Sequence, residues 1–384
     1  MPPPAGAVPA VAVAERASRP AGVAPAAGSA SAADVIVVGD GVIGLAVALA
    51  VANRGASCRI IGHPSPGAAS AAAGGLLAPS IGEASPAVRA VLMTAREGYP
   101  AYLHWLAERT GIEVALNRLG ILEVASSPEA FAELTRHAPA GVSLLSGTQA
   151  VGIEPPLVAA AGALYHPADG AVDNVRLLEA MREAVRCEWA IESVVGRVVR
   201  LQWKDGSPAA ITEDGQRHAA AAIVLAAGAW SPLVDGLPRP LRLEPVRGQM
   251  LALQASLVRH VIAGAGVYLV PRAERTLVGS TLERVGFDSG TTPGALGHLH
   301  EAAGILCPDL RDAAVAGGWA GLRPVTPDFA PIIGRDPDQK ALLYACGHGK
   351  NGILLAPLTG ECVAALLAGT APPVDLRPFA VERF

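Results

Sequence analysis

Residues 35–44 of this 384-residue chain read VIVVGDGVIG, and this stretch decides the fold. Its first four residues are an unbroken β-branched run, typical of a strand buried on both faces of a parallel sheet. Three glycines follow at the G-x-G-x-x-G spacing, and the apolar run from Val42 to Arg54 predicts a helix. Such a turn aims free backbone N–H groups and the positive end of the helix dipole at a phosphate. The stretch therefore predicts a dinucleotide site.

Small residues recur at three places around that site. In the first turn, Gly39 permits the tight bend, Gly41 lets the backbone approach a pyrophosphate, and Gly44 lets helix and strand pack closely. Residues 66–75 read PGAASAAAGG, which suits a backbone lying against a flat ligand, the alternative being an alanine-rich helix start. Residues 221–226 predict another fully apolar strand, which can pass beneath the dinucleotide.

The ribose contact departs from the usual pattern. The second strand, Cys58 to Ile61, normally ends in an acid that binds the ribose hydroxyls. Gly62 and His63 stand at that place, and neither is a carboxylate. The contact is therefore lost, supplied by His63, or supplied by water.

The rest of the chain mixes helices with short strands. Helices are predicted at 87–109, 174–185, 294–306 and 353–367, and strands near 120–124, 163–166, 194–201 and 342–345. Residues 204–216 predict a hairpin turn, and residues 241–279 alternate like an antiparallel sheet. We predict an α/β fold (α+β overall): a doubly wound, Rossmann-like dinucleotide-binding domain with an interleaved antiparallel β-sheet substrate domain.

Both predicted domains are discontinuous. The dinucleotide-binding domain comprises residues 34–84, 171–238 and 318–384, and the substrate domain comprises residues 85–170 and 239–317. Residues 1–33 hold 13 Ala and 6 Pro with almost no large apolar side chain, so they predict a disordered extension.

Composition excludes several classes of partner. Lys and Arg total 30 and Asp and Glu total 34, so the net charge of −4 argues against nucleic-acid binding. The five cysteines form no CxxC pair, so we expect buried free thiols, no metal site and a cytoplasmic protein. The apolar run 42–52 is about half of the roughly 20 residues that a bilayer needs, so we expect no membrane span.

Further motifs carry a family resemblance. They are SAAAG at 70–74, PVRGQ at 245–249, YLVPR at 268–272, GWAGLRP at 318–324 and GHGKNGIL at 347–354. Together they resemble the FAD-dependent amine oxidases of the D-amino-acid oxidase superfamily, over about residues 34–375. Within it they are most similar to the glycine oxidases of thiamine biosynthesis.

The resemblance implies non-covalently bound FAD. It places Val194 beside the adenine, and Cys346 lies in a strand where we do not expect it to reach the flavin. Residues 348–354 themselves predict a strand-to-helix turn whose N–H groups face the flavin N1/O2 edge. The implied FAD contacts are Gly39, Gly41, Val42, Ile43, Gly44, Ala68, Ala69, Ala73, Gly74, Gly75, Val194, His348, Gly349, Lys350, Asn351, Gly352, Ile353 and Leu354.

Three residues are the implied substrate contacts: Arg323, Tyr268 and Lys350. Arg323 is the one charge in an uncharged stretch, and a guanidinium can hold a carboxylate through two parallel hydrogen bonds. The alternative is a structural arginine paired with an acid such as Asp328. For Tyr268 the alternative is a half-buried strand aromatic.

The chain departs from better-known glycine oxidases at the pocket. Gly266 replaces a histidine, and Lys350 replaces an arginine. Gly75 stands where a methionine can line the pocket, so we expect a larger pocket there.

The resemblance implies an oxidative deamination. Glycine, water and dioxygen give glyoxylate, ammonia and hydrogen peroxide, and dehydroglycine would supply the thiazole of thiamine. The flavin takes the hydride, so no side chain is assigned as a catalytic acid or base. The expected partners are a small amino acid and dioxygen, and a homo-oligomer stays open.

Three other functions stay open from the sequence. The first is another oxidase or dehydrogenase of the superfamily, acting on sarcosine, proline or a D-amino acid. The second is a flavoprotein subunit that passes electrons to a partner without oxidising amines. The third is an NAD-dependent dehydrogenase, which only the first glycine motif supports.

Overall fold

The computed structural model describes residues 33–82, 84–157, 160–203 and 208–384. The predicted extension therefore lies outside the described residues, except Ala33, which belongs to the first strand. The strands are β1 (Ala33–Val38), β2 (Cys58–Gly62), β3 (Leu76–Leu77), β4 (Leu116–Asn117), β5 (Ile121–Ala125), β6 (Ser143–Ser146), β7 (Gly162–His166), β8 (Gly170–Val172), β9 (Ile191–Val195), β10 (Val198–Gln202), β11 (Ala209–Thr212), β12 (Arg217–Leu225), β13 (Glu244–Leu253), β14 (Val261–Gly264), β15 (Val267–Arg272), β16 (Arg275–Gly279), β17 (Val315–Val325), β18 (Ile332–Arg335) and β19 (Leu342–Cys346). The helices are α1 (Val42–Asn53), α2 (Ala69–Ala72), α3 (Pro86–Thr110), α4 (Pro128–Arg136), α5 (Gly147–Ile153), α6 (Asn174–Cys187), α7 (Pro293–Leu306) and α8 (Gly352–Leu367).

The first sheet carries the glycine turn. Its parallel core runs β19-β12-β1-β2-β9, and β18 adds an antiparallel edge beside β19. The start of β12 instead pairs with β11, which pairs with β10. Strand β1 lies between two parallel neighbours and is buried from Val35 to Val38, as its β-branched run predicts.

Helices cover one face of this sheet. Apolar residues of α1, α3, α6 and α8 share one core with the side chains of β1 that point to that face. On the other face a second core contains residues of β10, β11 and the segments after β12, without a helix of its own among the described residues. The predicted doubly wound arrangement is therefore one-sided here: a β-meander takes the place of the second helical layer.

Helix α8 bears on the expectation that the chain has no membrane span. The segment Gly349–Leu367 is long and apolar enough to cross a bilayer by length and composition alone. In the structure its apolar residues pack against α1 and α3 in the first core. Its hydrophobicity therefore reflects burial within the fold.

The second sheet is the predicted antiparallel one, in the order β17-β13-β16-β15-β14-β5-β7-β6. One pair, β14 with β5, is parallel. Helix α7 packs on this sheet and closes a separate core. A short third sheet, β3-β8-β4, contains the strand that follows α2.

Several element boundaries differ from those predicted. The strand expected at 194–201 is two strands, because β9 ends at Val195 beside β2 and β10 begins at Val198 and pairs with β11. The hairpin expected at 204–216 includes β11, and residues 204–207 lie outside the described residues. Helix α3 packs in the core of the first sheet, and β17 pairs along its whole length with β13. The division into two domains stays a prediction. Helix α3 falls in the predicted substrate domain but packs on the first sheet, and most of β17 falls in the predicted dinucleotide-binding domain but belongs to the second sheet.

Candidate active site

The described residues enclose a cavity of about 1320 Å³ at the carboxyl ends of β1, β2 and β12. Its lining reaches from the glycine turn to the second sheet. Most of the predicted contacts line it: Gly39, Gly41, Val42, Ile43, Ala68, Ala69, Ala73, Gly74, Gly75, Tyr268, Arg323, His348, Gly349, Lys350, Asn351, Gly352 and Ile353. The structure thus brings together segments that are more than 300 residues apart.

Three predicted contacts lie elsewhere. Gly44 is a packing residue, since a Cβ there would come 1.8 Å from the carbonyl oxygen of Gly39. Leu354 is buried in the first core. Val194 packs on the second core, and residues 196–199 line the cavity instead because β9 has already ended.

The glycine turn has the geometry that its spacing predicts. Gly39 has a φ of 109°, and a Cβ there would come 2.5 Å from the carbonyl oxygen of Ala226 at the end of β12. Ser70 crosses from the small-residue run, and its Oγ accepts from the Val42 N–H at 3.1 Å. Ser70 was missed as a site residue, although the SAAAG motif contains it.

Two helix N-termini face the same cavity. Helices α1 and α8 both begin without a side-chain cap, and neither has an acid in its first turn. Their first residues, Val42 and Gly352, line the cavity. Uncapped N–H groups and two positive dipole ends favour an anionic ligand that spans both termini.

The small-residue run is held against β17. The Trp319 Nε1–H donates to the carbonyl oxygen of Ala72 at 3.0 Å, and a Cβ at Gly321 would come 2.5 Å from that of Ala72. The run contains the four-residue helix α2, and residues 68–75 line the cavity. That this run lies against a flat ligand stays a prediction.

Gly75 does not enlarge the pocket. It has a φ of 76°, and a Cβ there would come 2.0 Å from the carbonyl oxygen of Val172 and 2.7 Å from Nη2 of Arg272. That guanidinium nitrogen donates to the carbonyl oxygens of Gly74 and Val172 at 2.8 and 2.6 Å. The expectation of extra space is therefore wrong, because backbone and the half-buried Arg272 fill it.

Arg323 lines the cavity without a carboxylate partner in the described ranges. Its Nη1 donates to the carbonyl oxygen of Thr281 at 3.2 Å, and its Nη2 donates to Oγ of Ser280 at 2.5 Å. Asp328, the suggested structural partner, instead pairs with Arg383 at 2.7 Å. The guanidinium is thus fixed by neutral oxygens and keeps its charge for a ligand.

Tyr268 faces the same cavity. Its hydroxyl donates to the Met250 sulfur at 3.3 Å, and its ring leaves no room for a side chain at Gly74, where a Cβ would come 2.8 Å from Cε2. Gly266 lies in the turn between β14 and β15 and does not line the cavity.

A buried polar cluster holds residues 280–283, the segment in which Ser280 and Thr281 contact Arg323. Arg247, only 4% exposed, donates to Glu283 and Asp288, and Gln249 donates to Glu283 at 2.8 Å. Partial burial raises the pKa of Glu283, but hydrogen bonds from Thr281, Arg247 and Gln249 lower it overall. The PVRGQ motif therefore positions Arg323 through this carboxylate. Sequence reasoning missed the segment because its residues carry no motif.

Two basic residues at the cavity differ in their surroundings. Lys350 has an exposed side chain at the cavity, and a Cβ at Gly82 would come 2.7 Å from its Nζ. Desolvation, and then the nearby Arg89, lower its pKa, while Glu123 opposes the shift. His348 is buried, its Nε2 lies 3.1 Å from Oγ1 of Thr359, and burial lowers its pKa to about 3, so it is neutral near pH 7.

The cysteines are free, and four of the five are buried. Cys346 lies in β19 and lines the cavity, and burial raises the pKa of its thiol to about 12. That it does not reach the flavin stays a prediction. A neutral thiol is a poor nucleophile. Cys187 is exposed at the end of α6 beside Glu183, which corrects the expectation of burial.

FAD fits the observed donors and shape. The glycine turn and α1 N-terminus suit the pyrophosphate, and the uncapped turn at Lys350 to Ile353 suits the electron-rich edge of the flavin. Bound there, FAD would supply the redox chemistry that no side chain of this cavity supplies. Arg323 and Tyr268 belong to strands of the second sheet that line the same cavity as the glycine turn.

Known proteins with similar sequences agree with this fit. A glycine oxidase from Geobacillus kaustophilus is 34% identical over 91% of this chain and 97% of its own length. A bifunctional protein ThiO/ThiG from Synechocystis is 32% identical over 91% of this chain and 54% of its own length. The crystal structure of glycine oxidase from Geobacillus kaustophilus superposes with a TM-score of 0.85 at 32% identity, covering 92% of this chain and 99% of that one.

The family described as FAD dependent oxidoreductase matches residues 34–366, nearly all of the described chain. The match includes the glycine turn, the small-residue run, Arg323 and the turn before α8. The chain therefore belongs to this family of FAD-dependent oxidoreductases, as the motifs predicted.

Proposed function

We propose that this chain is a glycine oxidase. Glycine, water and dioxygen would give glyoxylate, ammonia and hydrogen peroxide, with dehydroglycine drawn off for the thiazole of thiamine. The observation that carries the proposal is Arg323, a cavity-lining guanidinium held by Ser280 and Thr281 with no acid beside it in the described residues. The similar glycine oxidase and ThiO/ThiG sequences support the same substrate.

Each substrate contact has a separate task. Arg323 binds the carboxylate through its planar fork, which fixes the direction of the α-carbon. Tyr268 closes one side of the carboxylate site, and Lys350 adds positive charge near the turn before α8. No acid or base faces the amine in this scheme, so the substrate amine must arrive unprotonated.

The contacts between the lining residues and FAD are also part of the proposal. The lining residues of the glycine turn and small-residue run would hold the ADP half of FAD, and His348 to Ile353 would lie beside the flavin. FAD would be held without a covalent bond. We further propose a cytoplasmic protein that uses dioxygen, takes a small amino acid, and has neither nucleic-acid nor membrane partners. A homo-oligomer is compatible with this reaction.

A substrate panel tests the proposal. Purified holoenzyme is assayed for hydrogen peroxide with glycine, sarcosine, proline and several D-amino acids, with Arg323→Ala as the control. Glycine should give the highest kcat/KM, and the control should lose turnover but keep its flavin spectrum. Faster turnover of proline or a D-amino acid would assign the chain to another oxidase of the superfamily. Flavin reduction without peroxide release would indicate a dehydrogenase.

A further inference from the structure

Asp40 lies inside the glycine turn, between Gly39 and Gly41. An acid at this place is electrostatically unfavourable beside a pyrophosphate, because like charges repel. Its side chain, however, lies against Gly62 at the carboxyl end of β2. A Cβ at Gly62 would come 2.3 Å from Cγ of Asp40, 2.4 Å from its Cβ and 2.7 Å from its Oδ1.

Gly62 is the position where an acid usually binds the ribose hydroxyls. Here the Asp40 carboxyl group fills the space into which that side chain would extend. Both residues line the cavity, and within the described ranges the carboxylate has neither a hydrogen-bond donor nor a cation beside it. The half-buried carboxylate therefore has acceptor sites available for a ligand.

From this geometry we infer that Asp40 binds the hydroxyls of the adenosine ribose of FAD, replacing the missing acid of β2. The acid has moved from the end of the second strand to the glycine turn, and Gly62 is small because Asp40 occupies its side-chain space. The inference concerns the cofactor and does not depend on which amine is oxidised.

The alternative ribose contact is His63, which also lines the cavity. Its side chain is exposed, and the hydroxyl of Ser65 donates to its backbone carbonyl oxygen. Asp40 is the better acceptor for two adjacent hydroxyl donors, because a carboxylate accepts through two oxygens. If water made the ribose contact instead, replacing either Asp40 or His63 would not change the affinity for FAD.

The test measures FAD dissociation from full-length holoenzyme on dilution, by recovery of flavin fluorescence. Asp40→Asn keeps the shape and removes the charge, so it should raise the Kd about 10- to 100-fold, the range for a hydrogen bond to a charged group. Asp312→Asn, an exposed acid away from the cavity, and His63→Ala should each leave the Kd within about two-fold. An unchanged Kd for Asp40→Asn, or a lower one from relief of repulsion, would overturn the inference.

A ligand comparison separates ribose binding from a general change in the turn. Protein is exchanged with the FAD analogue whose adenosine is 2′,3′-dideoxy. The wild type should bind this analogue about 10- to 100-fold more weakly than FAD, while Asp40→Asn should bind both with similar affinity. Equal penalties in wild type and variant would show that Asp40 does not contact those hydroxyls.

A relocation experiment uses Gly62. Gly62→Glu alone should weaken FAD, because its Cβ collides with Asp40. Adding Asp40→Gly removes all three colliding atoms and should restore affinity to within about five-fold of wild type. Tight FAD binding by Gly62→Glu alone would contradict the exchange of positions, and thermal melts of each apoprotein report whether a variant has simply failed to fold.

Discussion

The guanidinium of Arg323 lies against the α-carbon of Gly248. A Cβ built on Gly248 would come 2.1 Å from Nη1 and 2.2 Å from Nη2 of that arginine. The two residues lie diagonally across the β13–β17 pair, where Gly248 is opposite Gly321 and Arg323 is opposite Val246. The glycine of the PVRGQ motif therefore makes room for the arginine of the GWAGLRP motif.

Gly248→Ala should move this guanidinium and leave the fold intact, because the colliding atoms are the free end of a flexible side chain. We expect kcat/KM for glycine to fall about 10- to 100-fold, as misplacement by about 1 Å can cost that much. The melting temperature and flavin content should stay near those of wild type. Gly297→Ala is the matched control, since a Cβ there meets nothing within 4 Å. Equal kinetics for both variants would show that the guanidinium position does not matter.

Arg323→Ala should abolish most turnover while FAD stays bound. Loss of a charge-assisted bidentate contact in a shielded site costs roughly 2–5 kcal/mol, about 30- to several-thousand-fold in kcat/KM. Arg323→Lys should recover only part of this, because an ammonium lacks the planar fork. Anaerobic stopped-flow reduction of the flavin by glycine measures the effect. Equally fast reduction in wild type and Arg323→Ala would remove the main support for the carboxylate site.

The residues around Arg323 show what the sequence can and cannot predict. Arg323, Tyr268 and the glycine turn all stand in motifs that can be read along the chain. Their residue types and spacing were therefore enough to predict that they meet at one cavity. Ser280, Thr281 and Glu283 follow β16 without a motif, and only strand pairing brings them to Arg323. Their role depends on the register of the second sheet, which short-range patterns do not define.

The ribose contact stayed open in the sequence for a similar reason. The missing acid at Gly62 was visible in the sequence, and so was the unusual acid at position 40. Their connection required knowing that the Asp40 side chain turns toward β2 and away from its neighbouring glycines. Val194 was expected beside the adenine, but it does not line the cavity. Strand β9 ends at Val195, and residues 196–199 line the cavity instead.

Lys350→Ala should remove a pH dependence from carboxylate binding, because the charge of Lys350 lies near the carboxylate site. Desolvation at the cavity and the nearby Arg89 depress the pKa of Lys350, so it loses its proton at a lower pH than the ordinary value of 10.5. Glycolate, a carboxylate without an amine, should therefore bind more weakly to wild type as pH rises through that depressed pKa. Flavin absorbance changes on glycolate binding measure the affinity. The alkaline loss should be absent in Lys350→Ala and kept in Lys340→Ala, an exposed lysine away from the cavity. Identical pH profiles in all three proteins would place Lys350 outside the substrate site.

The flavin should leave the protein on acid precipitation. Cys346 lines the cavity, but burial raises the pKa of its thiol to about 12, so almost none is thiolate near pH 7. Absorbance of the supernatant should account for all of the FAD, with Cys346→Ser giving the same result. Yellow colour that stays with the washed precipitate of wild type but not of Cys346→Ser would reveal a covalent bond.

Acid should destabilise the native protein partly through His348. Burial lowers the pKa of His348 from 6.5 to about 3, so below pH 6.5 the unfolded chain takes up a proton that the native state does not. The stability is therefore fully present above pH 6.5 and is lost as pH falls toward 3. At pH 5.0 the loss is about 2 kcal/mol, at 1.36 kcal/mol per pH unit. Denaturant unfolding of FAD-saturated protein at pH 7.5 and 5.0 should show this loss in wild type and in the exposed control His298→Gln. His348→Gln keeps a partner for Thr359 but does not titrate, so its stability should fall about 2 kcal/mol less; the same fall in all three proteins would show that His348 does not carry the acid sensitivity.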